Sequence, residues 1–331
     1  MTENAKSVVL SGRVRLARNY YDLPFHTADD TANAEACIQR AHQALSGGPY
    51  DLYRLSEMPN VECLKLMECH LVSRDLLMHA DVGAALIRND KRVSVMVNEE
   101  DHLRIQAMVD GLELSDAAQQ AFAAEERLEA VCAFSFDPQL GYLTSCPTNT
   151  GTGMRASLMM HLPMLTRFKQ MGNVNQSVAK LGLTTRGIYG EGSEALGDLY
   201  QVSNQVTLGR TEEEIIEAVV AVGRQLIDME LSLRDQCLQK QETELTDALM
   251  RSYGILRYAV SMDEKEFMQH WSNLRLGTAM GLMDARLPAV DELLTMAQDA
   301  HAKRYAQQLS PGMSVERARC EIIRKTLQSN P

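Results

Sequence analysis

Five arginines in this 331-residue chain stand beside glycine, serine, asparagine or a carboxylate. Arg13 and Arg15 lie in SGRVRLARN (11–19), Arg104 follows NEEDH (98–102), Arg155 lies in GTGMRAS (151–157), and Arg186 opens RGIYGEGSE (186–194). A guanidinium is a planar, permanently charged fork that grips phosphate oxygens through two N–H groups at once. Phosphoryl transfer asks for little else from a protein than positioning and positive charge. Arg13 and Arg15 are two apart, so on an extended segment both point to one face. Taken singly, each arginine is equally at home on the surface, and spacing alone does not bring the five together.

NEEDH supplies carboxylates next to that charge. Its plain reading is a helix start, with Asn98 as N-cap and Glu99, Glu100 and Asp101 complementing the helix dipole. Three successive acids at a strand end could equally hold a cationic substrate, or bind Mg²⁺ through water. TGTGMRAS (150–157) fits neither GxxxxGK[ST] nor a well-supported GxGxxG, and its plain reading is a helix-entry turn. RGIYGEGSE has the glycines and acids of a loop that closes over a ligand. Cys146 is either a small buried hydrophobe or a thiol activated by nearby arginines. The eight histidines, His70 and His102 among them, show no metal-binding spacing.

The elements that must position these residues fall into two regimes. Up to about residue 210, β-like runs at 61–66, 83–88, 93–97, 140–145 and 199–208 alternate with helical periodicity at 31–45, 114–131 and 154–170. Beyond Thr211 the β signal ends. A helix with Glu212, Glu213 and Glu214 in its first turn leads into further helical segments near 243–260, 263–275, 287–303 and 313–328.

Bulk properties narrow the function class. A net charge of −11 argues against nonspecific nucleic-acid or anionic-membrane binding. No apolar run approaches a membrane span, and MTENAKSVVL lacks signal-peptide features. Seven cysteines without a CxxC pair suit reduced thiols in the cytoplasm.

As ordered text, SGRVRLARN, VMVNEEDHLRI, LTSCPTNTGTGMRASLMMHLP and RGIYGEGSEALGDLYQVSNQVTLG resemble the phosphagen (ATP:guanido) kinase family. The likeness is closest to the family's bacterial protein-arginine kinase branch and extends over nearly the whole chain. SGRVR begins at position 11, so no counterpart of the N-terminal helical domain of creatine and arginine kinases precedes it, a mark of the bacterial branch.

The resemblance implies an α+β catalytic domain over 1–225, an antiparallel sheet flanked by helices, and an α-helical C-terminal domain over 226–331. It implies ATP and Mg²⁺ as cofactors, with Ser11, Gly12, Arg13, Val14 and Arg15 along the phosphates and Arg104, Arg155 and Arg186 completing the clamp. His70, the stretch Arg155, Ala156, Ser157, Leu158 and Met159, and the stretch Arg186, Gly187, Ile188, Tyr189, Gly190 and Glu191 match nucleotide-binding positions. Glu100 matches the catalytic carboxylate, with Glu99 in a supporting role in the Mg²⁺ shell. Glu191 matches a second acid on the substrate guanidinium, and Cys146 the family's reactive cysteine. The implied partners are proteins with accessible arginine, a Clp-type ATPase and protease, an activator protein and a second copy of the chain.

Two departures stand out. Gly12 replaces the second serine of the usual SSR. VERARC (315–320) keeps only Arg319 of the branch's phosphoarginine-sensing motif RDxxRA, and Val315 cannot clamp a phosphate, which argues against that receptor. Two other functions compete with phosphorylation of protein arginine: a kinase for free arginine or a related small guanidine, and an inactive phosphoarginine-binding adaptor.

Overall fold

The computed structural model describes residues 3–25, 31–187, 195–310 and 312–329. Ten strands occur among them. In chain order they are β1 Val9–Arg18, β2 Tyr50–Arg54, β3 Ala84–Arg88, β4 Val93–Val97, β5 Leu103–Asp110, β6 Phe136–Asp137, β7 Gly141–Tyr142, β8 Met154–His161, β9 Leu183–Gly187 and β10 Leu199–Asn204. Eight form one antiparallel sheet ordered β2-β3-β4-β5-β1-β8-β10-β9, and β6 pairs with β7 alone. The α+β expectation holds: a large antiparallel sheet with helices, followed by a helical C-terminal part.

The sheet has two unlike faces because its central strands alternate. Val14, Leu16, Ile105, Ala107, Ala156, Leu158 and Met160 are 0% exposed and pack with buried side chains of helices Leu114–Glu129 and Glu212–Tyr258. The residues between them, Arg15, Gln106, Ser157 and Met159, face the other way. Beyond β5 that second face is covered by a smaller apolar cluster that includes Leu55, Leu71, Leu76 and Met96. The arginine-bearing half of the face lies beyond this cluster.

Helix Glu212–Tyr258 begins in a capping box: Thr211 Oγ1 accepts from the Glu214 N–H, and Glu214 returns a carboxylate to the Thr211 N–H, both at 3.2 Å. Such a cap contributes about 1 kcal/mol. The helix is interrupted at Gln241 (φ −141°, ψ 34°), and position 225 falls inside its first stretch. The last part of the chain packs around Trp271, whose indole N–H donates to Val290 O at 2.7 Å.

Three local expectations are corrected. Residues 61–66 lie in helix Asn60–Glu68, where Cys63 and Met67 recur at helical spacing on its packed side. Residues 154–170 are strand β8 followed by the short helix Pro163–Arg167. NEEDH starts no helix: it is the connection between β4 and β5, with Asn98 at φ +61°.

Candidate active site

Strand register brings the arginines together. Arg15 lies opposite Arg155 on β8 and Gln106 on β5, while Arg13 lies opposite Ser157 and Met108. Ser203 of β10 faces Ser157, and Gln201 stands between Met159 of β8 and Arg186 of β9. Directly opposed residues share a face, so Ser11, Arg13, Arg15, Arg104, Arg155, Ser157, Met159 and Arg186 share one surface. Arg13 donates to Gln201 Oε1 at 3.0 Å, and Arg155 to Ser203 Oγ at 2.9 Å.

Four of these arginines act on one another electrostatically. Desolvation, then the charges of Arg104 and Arg155, lower Arg13 to about 10. Desolvation, then Arg13, Arg104 and Arg155, push Arg15 well below its ordinary value. Arg13 remains cationic at neutral pH. Arg15 Nε is buried with no hydrogen-bond partner among the described residues. Clustered, desolvated cations with an orphaned donor form a site whose energy falls when a polyanion enters.

The same register sorts out the residues of the contiguous stretches. Gly12, Val14, Ala156 and Leu158 are buried on the opposite, apolar face. Their side chains point away from the arginine surface, and Gly12, Val14 and Leu158 are paired with strands on both sides. A nucleotide on the arginine surface would meet these positions through their backbone and not through their side chains. A Cβ on Gly12 would lie 2.9 Å from Gly111 O and 3.0 Å from Leu114 Cδ2. The missing serine is therefore a packing matter behind the sheet.

The glycines of TGTG answer to close backbone packing, and the turn leads into a strand and not a helix. Gly151 (φ +117°) and Gly153 (φ +61°) admit close backbone neighbours, Thr207 O at 2.5 Å and Ala17 O at 2.8 Å from where a Cβ would stand. These glycines feed β8 into the sheet.

His70 lines a cleft of about 160 Å³ with Ser11, Arg13, Met108, Ser157, Met159 and Gln201. Its surroundings and the Arg13 charge lower the imidazole to about 4, so it is neutral at physiological pH. Its backbone is left-handed (φ +58°), and its carbonyl accepts from Gln106 Nε2 at 2.6 Å.

At the Arg104 end of the surface lies the β4–β5 connection. Glu99 is 4% exposed and accepts from both Arg104 and Ser73, which anchors Arg104. Glu100 is exposed and hydrogen-bonds the Cys146 thiol. Desolvation and the neighbouring Asp101 raise the Glu100 carboxyl above its ordinary value, despite Cys146 and Arg104. Cys146 Sγ also lies 3.0 Å from Thr148 Oγ1. Gly187 closes β9, whereas Ile188, Tyr189, Gly190 and Glu191 lie outside the described residues.

Sequence reasoning missed how several residues build this site. Asp101 Oδ1 accepts from Asn19 Nδ2 and from the Ser145 N–H, each at 2.7 Å. Asn98 Nδ2 donates to Ala34 O and Val82 O, both at 2.9 Å, and so pins the turn. His102 accepts from the Tyr20 N–H through Nδ1, so its Nε2–H donates to Pro24 O at 2.8 Å. Gln106, Gln201 and Ser203 were findable: each sits on the arginine face at period two in its own strand.

The donor set suits a metal carried in on phosphate. Among the described residues no group of three or more His, Cys, Asp or Glu could hold an ion by itself. Mg²⁺ is ordinarily bound through one or two carboxylates plus phosphate oxygens and water, and Glu99 and Glu100 can supply the former.

Comparison with known proteins agrees with this geometry. Residues 34–233 match the model of the ATP:guanido phosphotransferase C-terminal catalytic domain. Residues 242–331 match that of the protein-arginine kinase McsB C-terminal domain. The chain is 43% identical over 318 residues to a protein-arginine kinase of Caldanaerobacter subterraneus subsp. tengcongensis, covering 94% of each. It is 40% identical over 329 residues to one of Shouchella clausii, covering 97% of this chain and 92% of that one. Among solved structures it resembles lombricine kinase, with a TM-score of 0.61 and 26% identity over 70% of this chain and 68% of that chain. It also resembles the duplicated taurocyamine kinase of Schistosoma mansoni with transition-state analogue components: TM-score 0.62, 29% identity, 76% of this chain and 38% of that one.

Proposed function

The chain belongs to the ATP:guanido phosphotransferase family, and from that premise we propose how its residues phosphorylate arginine in proteins. The enzyme is an ATP-dependent protein-arginine kinase. The observation that supports the site assignment best is the gathering of Arg13, Arg15, Arg104 and Arg155 on one sheet face beside Glu100 and Cys146.

The ATP triphosphate lies across that face. Arg13, Arg15, Arg104, Arg155 and Arg186 neutralise it, and Ser11, His70, Ser157 and Met159 line the nucleotide side. Glu99 and Glu100 are the carboxylates that would help hold Mg²⁺, which would supply further neutralisation of the negative charge on the phosphates. A guanidinium has no free lone pair until a proton leaves it. Glu100 grips two of its N–H groups, aims one nitrogen at the γ-phosphorus and takes the proton as the N–P bond forms. The bond from the γ-phosphorus to the bridging oxygen breaks and ADP leaves with that electron pair. Glu191 serves as a second acid on the guanidinium. Cys146, hydrogen-bonded to Glu100, adds electrostatic grip and forms no covalent intermediate.

Among the described residues no helix is long and apolar enough to cross a membrane, and all seven cysteines are free. Free thiols support a reducing, cytoplasmic setting. The resemblance to protein-arginine kinases, to which the match at 242–331 adds, implies a homodimer, an activator protein and delivery of marked proteins to a Clp-type ATPase and protease. The likeness to lombricine and taurocyamine kinases favours a second reading, a kinase for free guanidino compounds. Competition separates the two. With labelled ATP, an unfolded arginine-rich protein and free arginine in one tube, label on the protein supports the first reading. Label on free arginine alone would overturn it.

A further inference from the structure

Glu68, Cys69 and His301 form a carboxylate–imidazole–thiol series that phosphoryl transfer does not use. Glu68 ends helix Asn60–Glu68 and Cys69 caps it, while His301 sits in the first turn of helix Asp299–Leu309. Glu68 is 7% exposed and accepts from Ala300 N–H at 2.6 Å, His301 N–H at 3.0 Å and His301 Nδ1 at 2.6 Å. With Nδ1 committed to the carboxylate, Nε2 lies 3.8 Å from Cys69 Sγ.

Burial opposes charge on His301, yet its contacts with Cys69 and Glu68 prevail and raise it to about 9. It is an imidazolium at neutral pH. A cationic N–H aimed at sulfur stabilises the negative charge that sulfur carries as it attacks, the arrangement used in activated cysteines. Cys69 is half-buried, within reach of small reagents.

This cluster joins the C-terminal helices to the nucleotide cleft. A second tie, Arg304 Nε to Glu62 Oε1 at 3.1 Å, links the same two helices, and Lys65 shares Glu62 at 2.9 Å. His70, next in sequence, lines the cleft with Arg13 and is held by Gln106.

We propose that Cys69 is a nucleophilic thiol, activated by His301 and oriented through Glu68, and a site of covalent modification by soft electrophiles that weakens nucleotide binding through His70. With a haloacetamide, an S–C bond forms, the carbon–halogen bond breaks, halide departs with the electron pair and the thiol proton goes to solvent. With a hydroperoxide, an S–O bond forms and the O–O bond breaks. Sulfur is oxidised by two electrons to a sulfenic acid, and the alcohol leaves with the thiol proton.

Cys132 provides an internal reference. It too is half-buried, and Arg40 donates to its sulfur at 3.4 Å, but burial and the Asp22 carboxylate at 3.3 Å outweigh that charge and raise the thiol above its ordinary value. The intact protein is treated with limiting iodoacetamide at neutral pH, and alkylation of each cysteine is timed by peptide mass spectrometry. Cys69 is expected to react about ten-fold faster than Cys132, and His301→Gln to remove most of that advantage. Alkylation should raise KM for ATP several-fold in the wild type and not in Cys69→Ser, the loss of kcat from Cys146 being common to both. Equal rates at Cys69 and Cys132 in the wild type would overturn the proposal, whether or not His301→Gln folds. An unchanged KM after full alkylation of Cys69 would overturn its link to the cleft.

Discussion

Asp101 accepts the Ser145 N–H at 2.7 Å, and this bond ties the loop that carries Cys146 to the connection that carries Glu100. The same carboxylate oxygen holds Asn19 at 2.7 Å, so three segments distant in sequence meet at one buried acid. Displacing reacting groups by an ångström costs on the order of a hundred-fold in rate. Asp101→Ala is therefore predicted to lower kcat by ~10–100-fold while KM for ATP changes little. Steady-state kinetics check this, with circular dichroism confirming the fold.

Glu100 should set the acid limb of the rate profile. Its carboxyl lies above the ordinary range because of desolvation and Asp101, and it must be ionised to accept the guanidinium proton. Activity is predicted to fall as pH drops through that raised value, at higher pH than an ordinary carboxylate would give. Glu100→Gln should abolish transfer, and with it the limb, while ATP binding followed by calorimetry persists.

The arginine cluster should cost stability when no nucleotide is present. A base with a lowered folded-state value is disfavoured in its charged form, so the penalty is present at neutral pH. For Arg13 it is relieved only above about 10. Arg15→Met is thus predicted to hold or raise Tm of the free protein, by ~2–4 °C for each kcal/mol recovered, and to weaken ATP binding. Thermal scans with and without ATP check both halves.

Arg319 is predicted to be a structural residue. It is 1% exposed and donates to Ala297 O at 2.6 Å, to Met262 O at 2.8 Å and to Asp299. Arg319→Ala should cost about 2–4 kcal/mol, since buried carbonyls lose their donors. Free phosphoarginine should leave Tm unchanged, as expected from Val315 and Glu316 in place of the sensing residues.

Much of this was legible in the sequence, for identifiable reasons. Val93, Val95 and Val97 alternate as a half-buried strand must, and Thr211 with Glu214 announces the long helix. Arg13 and Arg15 share a face once SGRVR is extended. Where local preference and pairing disagree, the sequence misleads. Residues 154–161 are rich in Met, Leu and Ala, good helix formers, yet they pair with both β1 and β10, and that pairing decides. Asn98 resembles an N-cap, but its left-handed backbone turns β4 into β5. Register was out of reach too. Only strand order shows that Arg155 lies opposite Arg15 and that Gly12 faces away from the arginine surface.

The most direct measurement is mass spectrometry, under conditions that spare the acid-labile N–P bond, on an unfolded protein incubated with ATP and this enzyme. The account predicts phosphate on arginine side chains with the wild type and none with Glu100→Gln. Phosphate confined to serine, threonine or free arginine, or undiminished by Glu100→Gln, would contradict it.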